Sequence, residues 1–270
     1  MSRHEISKVR LDEIIKKVPD LKPLWNKIKV LNPDIISMKF GHLSRVPHAS
    51  VCLNDSLSAL GEATYALRES FAHEVWYKEE AEYTNETTAN YFIRYYADDV
   101  ALRLYSASEH LANAIIDFLP IGKKSFLRHQ KKLSSIQSTV GKYLMRQRPK
   151  LPISISISEL VKNSAWTETI TYRNNWVHSQ PPLVSGLGVQ WLRKTRWSEV
   201  IKDGIVTGHR IDLGGLGDKP SYSPQQLRSI VAQALVAFLN TFECVSDFYI
   251  AVLVKNGIII DGSKVSVKLK

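Results

Sequence analysis

Between Thr88 and Leu119, apolar residues fall at Val100, Leu104, Ala107, Leu111, Ala114, Ile115 and Phe118, mostly three or four positions apart, and Pro120 closes the run. An α-helix, at 3.6 residues per turn, puts such residues on one side. A helix this long with one apolar stripe has to bury the stripe against other elements. Similar stepping recurs through much of the chain. Asn54 to Glu82 carries Leu57, Leu60, Ala63, Tyr65, Leu67, Phe71 and Val75, with Asp55 or Ser56 as a cap. Lys123 to Gln147 carries Phe126, Leu133, Ile136, Val140, Tyr143 and Leu144, and is closed by Pro149 and Pro152. Ser158 to His178 forms the next helix, which Pro181-Pro182 forbids from continuing. Pro224 opens a last helix to about Lys255, with Leu227, Val231, Leu235, Phe238, Phe242, Val245 and Tyr249 on its stripe.

The remaining segments are shorter. Residues 1–50 read as a helical extension: one helix stops before Pro19, a second at Asn32-Pro33, and a mixed loop follows. Residues 183–222 are glycine-rich, with short strands expected at Val189–Leu192 and Ile205–Leu213 around Asp203-Gly204. The tail, 256–270, reads as a hairpin turning at Asp261-Gly262, able to pair with the strands of the 183–222 insert. The expected fold is therefore all-α. A bundle of four to five long helices spans 51–255, with a small β-hairpin insert and a C-terminal hairpin.

At 44% apolar and 23% charged, the composition excludes a disordered or collagen-like chain. Cys52 and Cys244 form no C-x-x-C pair, so neither a zinc ribbon nor a redox motif is available, and reduced thiols in the cytoplasm are expected. Met1–Lys17 has no continuous apolar region, and Ser229–Phe242, the longest uncharged apolar stretch, is short for a bilayer span. A soluble protein with no membrane partner is expected.

The net charge is +10, and it is unevenly spread. No acidic residue lies between Asp117 and Glu159, while Lys123, Lys124, Arg128, Lys131, Lys132, Lys142, Arg146, Arg148 and Lys150 all do. A one-sign patch of this kind attracts polyanions through its field and through counterion release. A second cluster, Arg193, Lys194 and Arg196 between Trp191 and Trp197, combines cations with rings that stack on unpaired bases or anchor a strand to a core. The first cluster points to a nucleic-acid or phosphate partner, while the second fits base stacking and strand anchoring equally.

The sequence holds no Walker loop, no Rossmann glycine pattern, no H-E-x-x-H and no G-x-S-x-G. The eight histidines show no metal-ligand spacing, so neither metal nor cofactor is expected. Asp98-Asp99 reads as helix N-terminal charge. What remains is an arginine followed at short spacing by a histidine, found at Arg68/His73, Arg103/His110 and Arg173/His178. Of these, Arg173-Asn174-Asn175-Trp176-Val177-His178 falls at a helix end, late in the bundle, with a polar residue directly after the arginine.

Here the chain resembles the HEPN superfamily, helical-bundle domains found in many prokaryotic toxin and defence ribonucleases. Their signature is Arg, four to six residues, then His. The segment Tyr95–Ile115 is similar to the long helix of one HEPN subfamily, and the likeness in helix order runs over about 54–254. The resemblance implies a homodimeric, metal-independent endoribonuclease in a toxin or defence role, working with an antitoxin or defence partner protein. Arg173 and His178 would be catalytic and Asn174 would orient them. Asp99, Arg103 and His110 would support the site from the neighbouring helix. A non-catalytic HEPN module that binds nucleic acid or a protein is the alternative. In members silenced by a nucleotidyltransferase antitoxin a Tyr lies two residues after the His. Ser179 and Gln180 stand here, so the resemblance does not carry that control over.

The residue types suit the reaction. Neutral imidazole takes the 2′-hydroxyl proton, and guanidinium grips the phosphate as negative charge builds. Five residues on a regular helix set the two side chains about 140° apart. They are therefore expected not to face one phosphate well within one chain, unless the helix unwinds or two protomers share a cleft, the second being what the resemblance implies. The competing reading pairs Arg173 with Glu168 and leaves His178 as a C-terminal helix charge.

Overall fold

The stripe that begins the sequence argument is buried along its whole length: Val100, Leu104, Ala107, Leu111, Ala114, Ile115 and Phe118 all lie in the core. In the computed structural model, which describes residues 6–41, 44–81, 83–119, 140–178, 182–187, 196–212, 220–261 and 264–267, these residues sit on a helix spanning Glu86–Phe118. In chain order the helices are α1 (Lys8–Lys16), α2 (Lys22–Ile28), α3 (Pro33–Phe40), α4 (Val46–Val75), α5 (Glu86–Phe118), α6 (Gly141–Gln147), α7 (Pro152–Lys162), α8 (Ser164–His178) and α9 (Pro224–Lys255). Strands β1 (Arg196–Lys202) and β2 (Ile205–Asp212) form one antiparallel hairpin, and β3 (Ile258–Asp261) and β4 (Lys264–Val267) form another. The fold is all-α with two small hairpins.

Helices α4 and α5 make an antiparallel pair. A π-helical turn at Trp76–Glu80 prolongs α4, and the Asn85 side chain caps α5 by accepting from the Thr88 amide at 2.9 Å. The buried Ser56 hydroxyl, which the sequence suggested as a cap, is inside α4 and donates to the Ala107 carbonyl at 2.8 Å. Helix α9 lies across this pair and also meets α7 and α8. Its start is a capping box, with Ser223 and Gln226 each bonding the other's backbone. By length and composition alone α9 is apolar enough to cross a membrane. In this fold its Leu227, Val231, Leu235, Phe238 and Phe242 are core residues, and Trp166 of α8 stacks on Phe238 at 5.2 Å. Each such side chain contributes about 1.5–3 kcal/mol by leaving water.

The N-terminal region departs from the expectation of two helices and a loop. Asn32-Pro33 starts a third helix rather than ending the second. The Asn32 side chain accepts from Asp34 and Ile35 amides, and Pro33 fills the first position, where a missing N–H costs nothing. Helix α4 starts at Val46, with Pro47 in its first turn, so the expected boundary at residue 50 falls inside it. Leu21, Leu24, Ile28, Leu31 and Ile36 join the same apolar cluster as α4, α5 and α9.

The expected helix over 158–178 is two helices. Pro152 opens α7 instead of closing its predecessor, and Asn163 breaks the run with extended backbone (ψ 122°) while its side chain caps α8 through the Trp166 amide at 2.9 Å. Asn163→Ala is expected to cost about 1 kcal/mol, read as a lowered urea midpoint with an unchanged slope. Of the 123–147 helix only α6 is described, and there Val140 and Leu144 are buried. The strand before Asp203-Gly204 is Arg196–Lys202, whereas Val189–Leu192 lies outside the described residues. Asp203 (φ 53°) and Gly204 (φ 79°) make the two-residue turn whose twist matches a hairpin. The tail hairpin pairs with itself and rests on α3 and α9, not on β1 or β2.

Candidate functional site

Helix α8 presents two faces. Ala165, Trp166, Thr169, Ile170 and Tyr172 are buried, and Asn174 through His178 are exposed. Tyr172 is the anchor at the junction. Its hydroxyl donates to the Asp98 carboxylate of α5, which Arg94 also approaches at 3.5 Å, and its ring meets Tyr222 edge-on at 5.7 Å. Burial, opposed by the Tyr172 and Arg94 interactions, leaves the Asp98 carboxyl above its ordinary range, and burial followed by Asp98 pushes the Tyr172 hydroxyl up strongly. Asp98 is thus a tertiary tie rather than a helix-end charge. Tyr172→Phe strips a donor from this half-enclosed carboxylate. The expected loss is about 1–3 kcal/mol in urea unfolding.

The next residue, Arg173, lays its guanidinium over the Tyr105 ring of α5, with Cζ 3.7 Å from the ring centre. Nη1 donates to Asn174 Oδ1 at 3.2 Å and lies 3.5 Å from His178 Nε2, while Nε is enclosed with no hydrogen-bond partner. The single chain therefore brings the two tips together despite their 140° separation around the helix. The long arginine arm, seated on Tyr105, spans the roughly 7.5 Å rise between the two positions. Neither helix unwinding nor a second protomer is needed for that contact. Glu168, the competing partner for Arg173, instead engages Tyr222, whose hydroxyl it holds up after burial has done so.

Asp99 and Arg103 lie elsewhere on α5. Arg103 bonds Asp99 at 3.2 Å and Glu62 of α4 at 2.6 Å, tying α5 to α4. About 100–160° of helix rotation separates Asp99, Arg103 and the half-buried His110 from the Asp98–Tyr105 face that meets α8. These three are thus not what the structure brings to Arg173; Tyr105 seats its guanidinium, and Asp98 anchors the neighbouring Tyr172. His73, of the Arg68/His73 match, is half-buried and stacks on Phe92 at 4.3 Å, with the Tyr96 hydroxyl 3.2 Å from its Nε2.

Of the expected RNA contacts, Lys142 and Arg146 are exposed on α6. Lys123, Lys124, Arg128, Lys131, Lys132, Arg193 and Lys194 lie outside the described residues, and Arg196 begins β1.

A second titratable cluster occupies the far end of the α4–α5 pair. His48 Nδ1 is 2.7 Å from Asp117 Oδ2 and 3.5 Å from Cys52 Sγ. Spacing rules for like ligands missed it, because it mixes three residue types and one of them comes from another helix. It is not a cysteine nucleophile. The same ring nitrogen faces both partners, whereas a triad uses one nitrogen for each. Burial, with Asp117 next, also pushes the Cys52 thiol up to about 12.

Comparison with family models, with curated proteins and with solved structures finds no match for this chain.

Proposed function

We propose that the chain is an endoribonuclease of HEPN type that cleaves RNA through its own 2′-hydroxyl, with Arg173 and His178 as the catalytic pair and no metal in the step. The observation that carries the reading is the 3.5 Å approach of Arg173 Nη1 to His178 Nε2 on an exposed helix end. His178 takes the 2′-hydroxyl proton, the freed oxygen attacks the adjacent phosphorus, and the 5′-oxygen leaves with a proton. The products are a 2′,3′-cyclic phosphate and a 5′-hydroxyl. Arg173, fixed over Tyr105 and oriented by Asn174, supplies charge-assisted hydrogen bonds to the phosphoryl oxygens. Lys142 and Arg146, with the other basic residues of the 118–158 window, attract the RNA backbone.

A homodimer belongs to the reading. Exposed Trp176 and Val177 flank the pair and suit a two-fold contact that would set two Arg–His pairs beside one RNA. A toxin or defence role, with a partner protein that restrains the enzyme in the cytoplasm, follows from the same resemblance. The test is incubation of the full chain with single-stranded RNA in excess chelator. Cleavage to cyclic-phosphate ends supports the proposal. RNA bound but never cut supports the non-catalytic module instead.

A further inference from the structure

We propose that His48, Cys52 and Asp117 form a zinc site that ties the start of α4 to the end of α5. His48 and Cys52 are four residues apart, one helical turn, so they share a face of α4, and Asp117 meets them from the last turn of α5. Their ligand atoms all lie within 4.8 Å of one another, and among the described residues this is the one such group of His, Cys, Asp or Glu.

The geometry suits a tetrahedral ion. Zn–N and Zn–O bonds of about 2.0 Å and a Zn–S bond of about 2.3 Å set ligand atoms roughly 3.3–3.6 Å apart. The His48–Cys52 edge is 3.5 Å and the Cys52–Asp117 edge is 3.9 Å. Only the His48–Asp117 edge, 2.7 Å, has to open, and an ion replacing the shared hydrogen opens it. The Asp117 side chain is 1% exposed, and its Oδ1 has no hydrogen-bond partner although Arg45 Nε stands 2.7 Å away in an ion pair outside hydrogen-bond geometry. Arg45 supplies this buried carboxylate with one positive charge but no hydrogen bond to Oδ1, and Oδ2, between the imidazole and the thiol, is the oxygen placed to bind an ion. Thiolate, imidazole and carboxylate together favour zinc over the oxygen-seeking magnesium or calcium. On binding, the Cys52 thiol loses its proton to solvent, because a coordinating thiol is deprotonated by the ion. His48 and Arg45 are the exposed side chains of the cluster, and water or an anion would complete the tetrahedron around the ion.

The site stands apart from the proposed cleavage pair. Asp117 is twelve residues beyond Tyr105 on α5, a rise of about 18 Å. Its role is structural: zinc binding raises the unfolding midpoint, and once zinc exceeds the dissociation constant the rise follows the logarithm of its free concentration.

The experiment strips the full chain of metal, titrates it with zinc chloride alone, and measures zinc retained after desalting. One zinc per chain is expected, together with a thiolate-to-cobalt charge-transfer band when cobalt is used as probe. His48→Ala, at a position with 60% side-chain exposure, leaves the fold intact and is expected to weaken retention at least tenfold. Cys52→Ala is expected to abolish the cobalt band. RNA cleavage by His48→Ala should match the parent chain, which separates this inference from the functional reading. Zinc retained undiminished by His48→Ala, or cobalt bound without the band, would overturn the site.

Discussion

His178→Ala is expected to lower RNA cleavage about 10²–10⁴-fold, the range general base catalysis supplies, while leaving unfolding within about 0.5 kcal/mol of the parent because the side chain is exposed at the last residue of α8. Its Nε2 meets Arg173 and otherwise faces solvent, so its removal opens no cavity and strands no buried donor. RNA affinity should persist, since backbone attraction comes from Lys142, Arg146 and the rest of the basic window, and should fall steeply with added salt in parent and variant alike. Arg173→Lys is the companion. Lysine keeps the charge but loses the planar fork and the stacked seat over Tyr105, so cleavage should fall with little change in binding. The two measurements, initial cleavage rate and salt-dependent binding, decide between enzyme and binding module. Parent-like cleavage by His178→Ala refutes the catalytic assignment.

The stripe on α5 was legible because every helical turn repeats the same constraint, and seven buried residues follow from one periodicity. Helix α9 was equally plain: Pro224 sets its start and a long apolar run follows. Proline was less decisive at the ends. Pro33, Pro47 and Pro152 each lie inside a helix's first turn, where they start an element, and the sequence reading took Pro33 and Pro152 as stops. Asn163 has the opposite history. A helix-compatible residue by pattern, it splits α7 from α8 because its side chain serves as a cap. At the site, Arg173, Asn174 and His178 could be named because they are close in sequence. Tyr105 and Asp98 could not. Their relevance depends on which side of α5 meets α8, and a helical pattern fixes the buried side without saying which neighbour covers each edge of it. The Arg173–His178 contact was hidden for a related reason: the 140° separation places Cβ atoms, whereas an arginine acts several bonds further out.

The second large effect is on stability. Arg228→Ala is expected to destabilise the fold by about 3 kcal/mol at pH 7, the lower end of what breaking one partner of a buried ion pair costs. Arg228 of α9, only 10% exposed, reaches Glu74 of α4 at 2.5 Å, donates to the Ser70 carbonyl at 3.3 Å and covers the Phe71 ring at 4.1 Å. Its loss leaves the Glu74 carboxylate enclosed, with Lys78 at 3.2 Å and Gln225 at 3.4 Å as partial compensation. Burial by itself would raise the Glu74 carboxyl; the charge and hydrogen bond of Arg228, with Lys78, outweigh it and hold the group below its ordinary value. A depressed carboxyl contributes stability that is present above the unfolded value, about 4.3, and is lost as pH falls through the folded one. In the variant, burial is opposed only by Lys78 and the long Gln225 hydrogen bond, the carboxyl moves up, and protonation relieves the stranded charge. The gap between parent and variant should therefore be widest near neutrality and shrink as pH falls from the variant's raised folded value through the parent's depressed one. Urea unfolding at pH 7 and at the lowest pH where both remain folded checks this. Pairing Arg228→Met with Glu74→Gln should cost less than Arg228→Ala alone, because the double change removes both charges while filling much of the same volume. A pH-independent gap would assign the loss to packing over Phe71 instead of to the ion pair.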